Sequence, residues 1–159
     1  MREFTGKIVF ITGGGGGIGA GIAQAFAERG ARIILADIQN TFAEEEAAKL
    51  PAAAEAQVIT LDVRSLESWS AAREKVERQL GAVDILCNNA GISNGFKPLA
   101  DVAPDEFDRL MAINVTGVYN GVRTFMPSMV ARGSGHIVNT SSMNGLTPFG
   151  SFAAYSASK

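Results

Sequence analysis

Five short apolar runs, rich in β-branched residues, punctuate the chain: KIVFIT (7–12), RIILAD (32–37), QVITLD (57–62), VDILCN (83–88) and GHIVNTS (135–141). A strand with one face in water alternates apolar and polar residues. Runs that are apolar almost without interruption belong to strands covered on both faces, as in a parallel sheet flanked by helices. Longer amphipathic segments lie between them. Ile18, Ile22, Ala25 and Phe26 line one face of a first helix that stops near Gly30, and Trp69, Ala72, Val76 and Leu80 line another closed by Gly81. A weaker helix spans 40–50, with Glu44, Glu45 and Glu46 on a solvated face and Pro51 at its end. Strand and helix in strict alternation imply right-handed crossovers and an α/β, Rossmann-like, doubly wound parallel sheet.

Composition narrows the function classes. With 159 residues, 47% hydrophobic and 19% charged, residues 1–159 are expected to form a single domain with a real core. A net charge of −2 offers no basic footprint for nucleic acid or an anionic membrane. The apolar runs are too short to cross a bilayer, and Arg2 and Glu3 are not followed by the apolar stretch of a signal peptide, so the chain reads as cytoplasmic. Cys87 lies in an apolar run and reads as buried strand filler. One cysteine and one histidine give no basis for a metal site, and His136 reads as an exposed strand residue.

The stretch TGGGGGIG (12–19) sits between the first strand and the first helix. Glycines there allow a positive-φ turn and close approach of a ligand to the main chain, and the following helix presents unpaired N–H groups to a phosphate. Ala20 and Gly21 follow Gly19 where a nucleoside-triphosphate loop would have Lys and Ser or Thr, so that reading is disfavoured. Two registers fit: Gly14, Gly16 and Gly19 as G-x-G-x-x-G, or Gly13, Gly17 and Gly19 as T-G-x-x-x-G-x-G. Asp37 closes the second strand, 24 residues after Gly13. A carboxylate there accepts hydrogen bonds from ribose hydroxyls and repels a 2′-phosphate, and no basic residue lies in the glycine loop or immediately after Asp37. NAD is favoured over NADP.

A long helix is expected from Pro104 to Gly133, with Asp105 and Glu106 in its first turn and a kink at Pro127. Phe107, Leu110, Asn114, Gly117, Gly121 and Phe125 share one face, which sets an amide in an apolar stripe. Burying Asn114 unpartnered costs about 1 to 3 kcal/mol. Something polar must meet it, whether a neighbouring strand's backbone or a functional group.

Taken together, TGGGGGIG, LDV (61–63), NNAG (88–91), Asn114, Ser142 and YSASK (155–159) resemble the short-chain dehydrogenase/reductase family over the whole chain. The resemblance implies a 3-2-1-4-5 strand order. It implies that Gly13, Gly17, Ile18 and Gly19 cradle the cofactor, that Asp62 and Val63 contact its adenine, and that Asn88, Asn89, Ala90 and Gly91 support the sheet and line the cleft. It also implies a catalytic tetrad of Asn114, Ser142, Tyr155 and Lys159. The chemistry needs these types. Hydride loss from an alcohol requires removal of its hydroxyl proton; a free tyrosine, with a pKa of about 10, is a poor base at neutral pH, and a nearby ammonium favours phenolate. Positions i and i+4 share a helix face, so Lys159 can lie along Tyr155. By resemblance Lys159 also grips the nicotinamide ribose, Ser142 orients the substrate oxygen, and Asn114 anchors a water that passes protons outward. Ser141 is the competitor for Ser142; the thirteen-residue spacing to Tyr155 selects the latter.

Family members continue past the residue matching Lys159, so the later strands, the rest of the helix carrying Tyr155 and the cover of the substrate have no counterpart in this sequence. The expected consequences are a helix of about one turn after Ala153, a terminal carboxylate able to pair with the Lys159 ammonium, and an open edge at strand five. Two readings follow. One is the cofactor-binding and catalytic portion of an NAD-dependent dehydrogenase or ketone reductase acting on a small-molecule secondary alcohol. The other is a catalytically weak or inactive NAD-binding or interaction module. Phe96, Met143, Phe149 and Phe152 suggest a moderately apolar substrate, and the resemblance implies a homodimer or homotetramer for a full-length form.

Overall fold

The computed structural model describes residues 3–159; Arg2 lies outside them. Five parallel strands form one sheet in the order β3-β2-β1-β4-β5, as the resemblance implied: β1 Ile8–Thr12, β2 Arg32–Asp37, β3 Gln57–Thr60, β4 Ile85–Asn88 and β5 His136–Asn139. β3 and β5 stop two residues short of their apolar runs, which frees Leu61, Asp62, Thr140 and Ser141 for the loops at the C-terminal edge. The helices are α1 Gly17–Glu28, α2 Asn40–Ala47, α3 Leu66–Gln79, α4 Pro104–Met111, α5 Gly117–Ala131, α6 Met143–Leu146 and α7 Ala153–Ala157.

Alternate residues of β1 feed two cores. Val9 and Ile11 point to α1 and α2, joining Ile33, Leu35, Ala23, Ala27 and Ala43; Ile8 and Phe10 point the other way, toward α3 and α5. On that second face Phe10, Trp69 and Phe125 meet with ring centroids 5.2 to 6.1 Å apart. Cys87 is buried on the first face, where desolvation pushes its thiol up to about 11.

Two helices differ from expectation. α1 buries Gly19, Ala23 and Ala27, with Ile22 and Phe26 partly buried beside them, while Ala25 is exposed and Ile18 is 66% exposed. Small residues let this helix lie close against the sheet, so the large apolar residues mark its flank. The long helix is interrupted: Ala112–Thr116 forms a π-turn between α4 and α5, and α5 then runs through Pro127 to Ala131. The departure from α geometry falls on Asn114, where a π-turn swings a residue out of ordinary register. β5 is the edge strand and is mostly exposed, His136 included. No described helix is long and apolar enough to cross a membrane.

Candidate active site

A cleft of about 630 Å³ opens along the C-terminal edges of β1, β2 and β4. Its floor is the glycine loop and the start of α1: Gly13, Gly16, Gly17, Ile18 and Gly19. Packing calls for glycine in both registers: a Cβ on Gly14 would stand 2.8 Å from the Leu35 Cβ, and Gly19 belongs to either pattern. Gly13 turns with φ +66°, and a Cβ on it would stand 2.9 Å from the Ala90 Cα; one on Gly19 would stand 2.2 Å from the Gly13 carbonyl oxygen. Gly17 has open space where a side chain would go. α1 starts on Gly16 without a side-chain cap, and its first hydrogen bond is Ala20 N–H to the Gly16 carbonyl at 2.8 Å. The N–H groups of Gly17, Ile18 and Gly19, in the first turn before Ala20, are therefore left for an anion in the cleft.

Asp37 stands at one end of the cleft, held by two backbone donors: Gly15 N–H to Oδ2 and Gln39 N–H to Oδ1, both 3.0 Å. Each oxygen keeps a lone pair, so capping the turn does not exhaust the carboxylate. Leu61, Asp62, Val63 and Arg64 form the next wall. Arg64, which the sequence reading passed over, clamps Asp62 through Nε at 2.9 Å and Nη2 at 2.7 Å. That hydrogen bonding holds the Asp62 carboxyl below the usual carboxylate range. The guanidinium's charge is thereby matched within its own wall.

The far end is built from NNAG. Thr12 Oγ1 accepts from the N–H groups of Asn89 and Ala90, both at 2.9 Å, and Asn89 Nδ2 donates to the Thr12 carbonyl at 3.1 Å. Thr140 Oγ1 donates to Asn89 Oδ1 at 3.2 Å. Asn89 thus ties together the ends of β1, β4 and β5. Asn88, wholly within the sheet, donates to Asn139 Oδ1 at 2.9 Å.

Beyond Gly91 three of the expected tetrad residues converge. A Cβ on Gly91 would lie 3.0 Å from Lys159 Nζ and 3.3 Å from Asn114 Oδ1. Lys159 Nζ donates to the Thr140 carbonyl at 3.3 Å and lies 5.9 Å from the Tyr155 ring centroid. The turn tightens after α7, with Ser158 N–H to the Tyr155 carbonyl at 3.0 Å and Lys159 N–H to the Ser156 carbonyl at 3.2 Å, which helps bring the ammonium back over the ring. Asn114 is buried and bonded through both its oxygen and its nitrogen: it accepts from Ile92 N–H at 2.8 Å and donates to the Ile92 carbonyl at 2.9 Å and to Ser158 Oγ at 2.8 Å. The polar partner demanded by its apolar stripe is thus a loop backbone together with a serine that the sequence reading did not single out. Three residues after Tyr155, Ser158 was placed to bond back to its carbonyl.

Ser142 stands apart from this knot. It caps α6, its Oγ accepting from Asn144 N–H at 3.2 Å, which leaves its own O–H to donate. Ser141 spends its O–H on the Lys159 carbonyl at 3.1 Å. Around them Phe96 packs on Phe152 at 4.4 Å, Phe152 lies edge-on to Tyr155 at 6.2 Å, and Met143 and Phe149 are exposed.

Burial lowers the Lys159 pKa from the ordinary lysine value of 10.5. A depressed pKa means that the folded chain releases this proton first, so stability should rise with pH from the lowered value up to about 10.5. Urea midpoints measured between pH 8 and 10.5 should show that rise relative to Lys159→Met; parallel profiles for the two proteins would count against it.

With its glycine loop, NNAG staple and Tyr-Lys turn on a 3-2-1-4-5 sheet, the chain belongs to the short chain dehydrogenase family, whose pattern it matches over residues 7–159. It is 38% identical over 162 residues to a C alpha-dehydrogenase of Sphingobium sp., covering 100% of this chain and 53% of that one. Among solved structures it resembles an NAD+-bound xylitol dehydrogenase with a TM-score of 0.95 and 37% identity, covering 99% of this chain and 61% of the other. A metagenomic short-chain oxidoreductase in complex with NADP gives a TM-score of 0.92 at 35% identity, covering 98% and 71%. The chain spans about half the length of the curated Sphingobium relative.

Proposed function

We propose that this chain is the cofactor-binding and proton-transfer portion of an NAD-dependent dehydrogenase acting on a secondary alcohol or the corresponding ketone. The observation that carries the reading is continuity: a cleft with an uncapped helix N-terminus on its floor and Asp37 at one end reaches Gly91, against which Lys159 and Asn114 pack. The residues present suit a dinucleotide. Gly17 and the first N–H groups of α1 would receive the diphosphate, Asp37 the adenosine ribose, and the wall at Asp62 and Val63 the adenine. Lys159 would hold the other ribose.

When bound, the nicotinamide supplies the hydride acceptor or donor. The chain's own residues handle the proton. Tyr155 takes it from the substrate hydroxyl or returns it, and the Lys159 ammonium over the ring stabilises negative charge developing on the phenol. Ser142, with its O–H unspent, holds the substrate oxygen. Asn114 acts through the turn it binds; both its N–H donors are engaged within the chain, which leaves the Oδ1 lone pair for a water. The exposed Val115, Tyr119, Met126 and Val130, at helical spacing on the π-turn and α5, suit packing against a second copy.

Asp37 provides the test of cofactor choice. Titration calorimetry should find NAD+ bound at least tenfold more tightly than NADP+, and Asp37→Ala should bring the two within about threefold, chiefly by weakening NAD+. Equal affinities in the unaltered protein would sink the NAD assignment.

A further inference from the structure

The turn carrying Tyr155 and Lys159 is too short to order itself. α7 has five residues, and a lone helical turn costs more in fixed dihedrals than its few hydrogen bonds return. Contacts from the rest of the chain must fix the pair, and Ser158 provides a buried one. It is 7% exposed; its Oγ donates to the Tyr155 carbonyl at 2.7 Å and accepts from Asn114 Nδ2 at 2.8 Å. Asn114 is anchored in turn by its paired bonds to Ile92, next to the Gly91 on which Lys159 Nζ packs. A closed path therefore runs from the Tyr155 main chain through Ser158 and Asn114 to the loop after β4, and back through Gly91 to Lys159.

We infer that Ser158 is a positioning residue for the proton-transfer pair, its hydroxyl clamping the Tyr155 turn to Asn114 so that phenol and ammonium hold their relative placement. The inference rests on the reading of Tyr155 as the acid/base. A serine that only bonds back to the carbonyl three residues earlier is common in helices and has no such consequence. The donor arriving from Asn114, 44 positions away in sequence, makes the difference. That hydroxyl is used as donor and acceptor at once, so Ser158→Ala strands a buried amide N–H and releases the turn. The π-turn has a use in the same scheme: it places Asn114 where one amide reaches both Ile92 and Ser158.

Tyrosine-ring NMR tests the clamp independently of turnover. The chain has two tyrosines, and Tyr119, exposed on α5 and bonded to Arg123, serves as the internal reference. Ser158→Ala should shift the Tyr155 ring resonances and leave those of Tyr119 in place. It should lower kcat for NAD-dependent oxidation of cyclohexanol about tenfold, with KM for NAD+ within threefold. Ser158→Thr, which keeps the hydroxyl, should restore both readouts. Asn114→Ala, cutting the link from the other side, should move the Tyr155 resonances in the same sense. The inference is overturned if Ser158→Ala leaves the Tyr155 resonances or kcat unchanged, if the Tyr119 resonances move with them, or if Thr behaves like Ala. Failure of the parent reading looks different: Tyr155→Phe would then keep its turnover.

Discussion

Replacing Tyr155 by Phe should reduce turnover about a thousandfold while leaving the fold and NAD+ affinity within threefold of the original. The contacts that seat Tyr155 belong to its ring and main chain: the edge-on packing against Phe152, the ammonium of Lys159 over the ring, and the carbonyl held by Ser158. Phenylalanine keeps all three. What it loses is the hydroxyl, and with it the proton transfer proposed for it, a contribution of roughly 10² to 10⁴ for a positioned acid/base group. The two serines sharpen the test. Ser142→Ala should cost about a hundredfold by removing a donor to the substrate oxygen. Ser141→Ala should stay within a few-fold, since that hydroxyl already serves the Lys159 carbonyl. Steady-state oxidation of secondary alcohols beside NAD+ titrations reads all three; more than a tenth of the original turnover in Tyr155→Phe would remove the tyrosine from the mechanism.

What could be read from sequence divides along physical lines. The central strands were legible because burial on both faces leaves a continuous apolar run, whereas the order 3-2-1-4-5 came from the family resemblance, since such runs alone fit more than one doubly wound order. The buried face of α1 was not, because large apolar residues dominate any periodicity while close helix-sheet contact is made by Gly19, Ala23 and Ala27; Ile18 instead lines the cleft. The π-turn has no compositional mark, since it only moves hydrogen bonds by one residue. Asn114 announced itself as a polar residue in an apolar stripe, but its partners, Ile92 and Ser158, lie 22 and 44 positions away and only the fold joins them. Arg64 escaped notice for a similar reason: it follows Asp62, well away from the glycine loop in sequence, yet lines the same cleft. Two registers of the glycine run stayed open because five identical residues carry no pattern among themselves.

The glycines also yield the sharpest separation of stability from binding. Helix propensity alone says that Gly19→Ala, inside α1, stabilises by about 1 kcal/mol. The structure reverses the sign. An added Cβ would lie 2.2 Å from the Gly13 carbonyl oxygen and 3.0 Å from Asn89 Nδ2, and neither neighbour can retreat: Gly13 holds the positive-φ turn and Asn89 staples the ends of β1, β4 and β5. Overpacking of that kind costs about 1 to 3 kcal/mol or more, enough to outweigh propensity, and it displaces the loop that forms the cleft floor. Gly19→Ala should therefore lose about 2 kcal/mol in urea unfolding and at least tenfold in NAD+ affinity. Gly21, on the same helix with nothing within 4 Å of an added Cβ, is the control, and its alanine variant should gain roughly 0.5 to 1 kcal/mol with unchanged binding. Gly17 completes the set: it lines the cleft, and its Cβ would meet no atom of the described residues outside its own turn within 4 Å, so Gly17→Ala should weaken NAD+ without lowering stability. Were Gly19→Ala to come out more stable than the original protein, the tight seat of α1 on the glycine turn would be wrong; were Gly17→Ala to bind NAD+ unchanged, the diphosphate would have to lie elsewhere in the cleft.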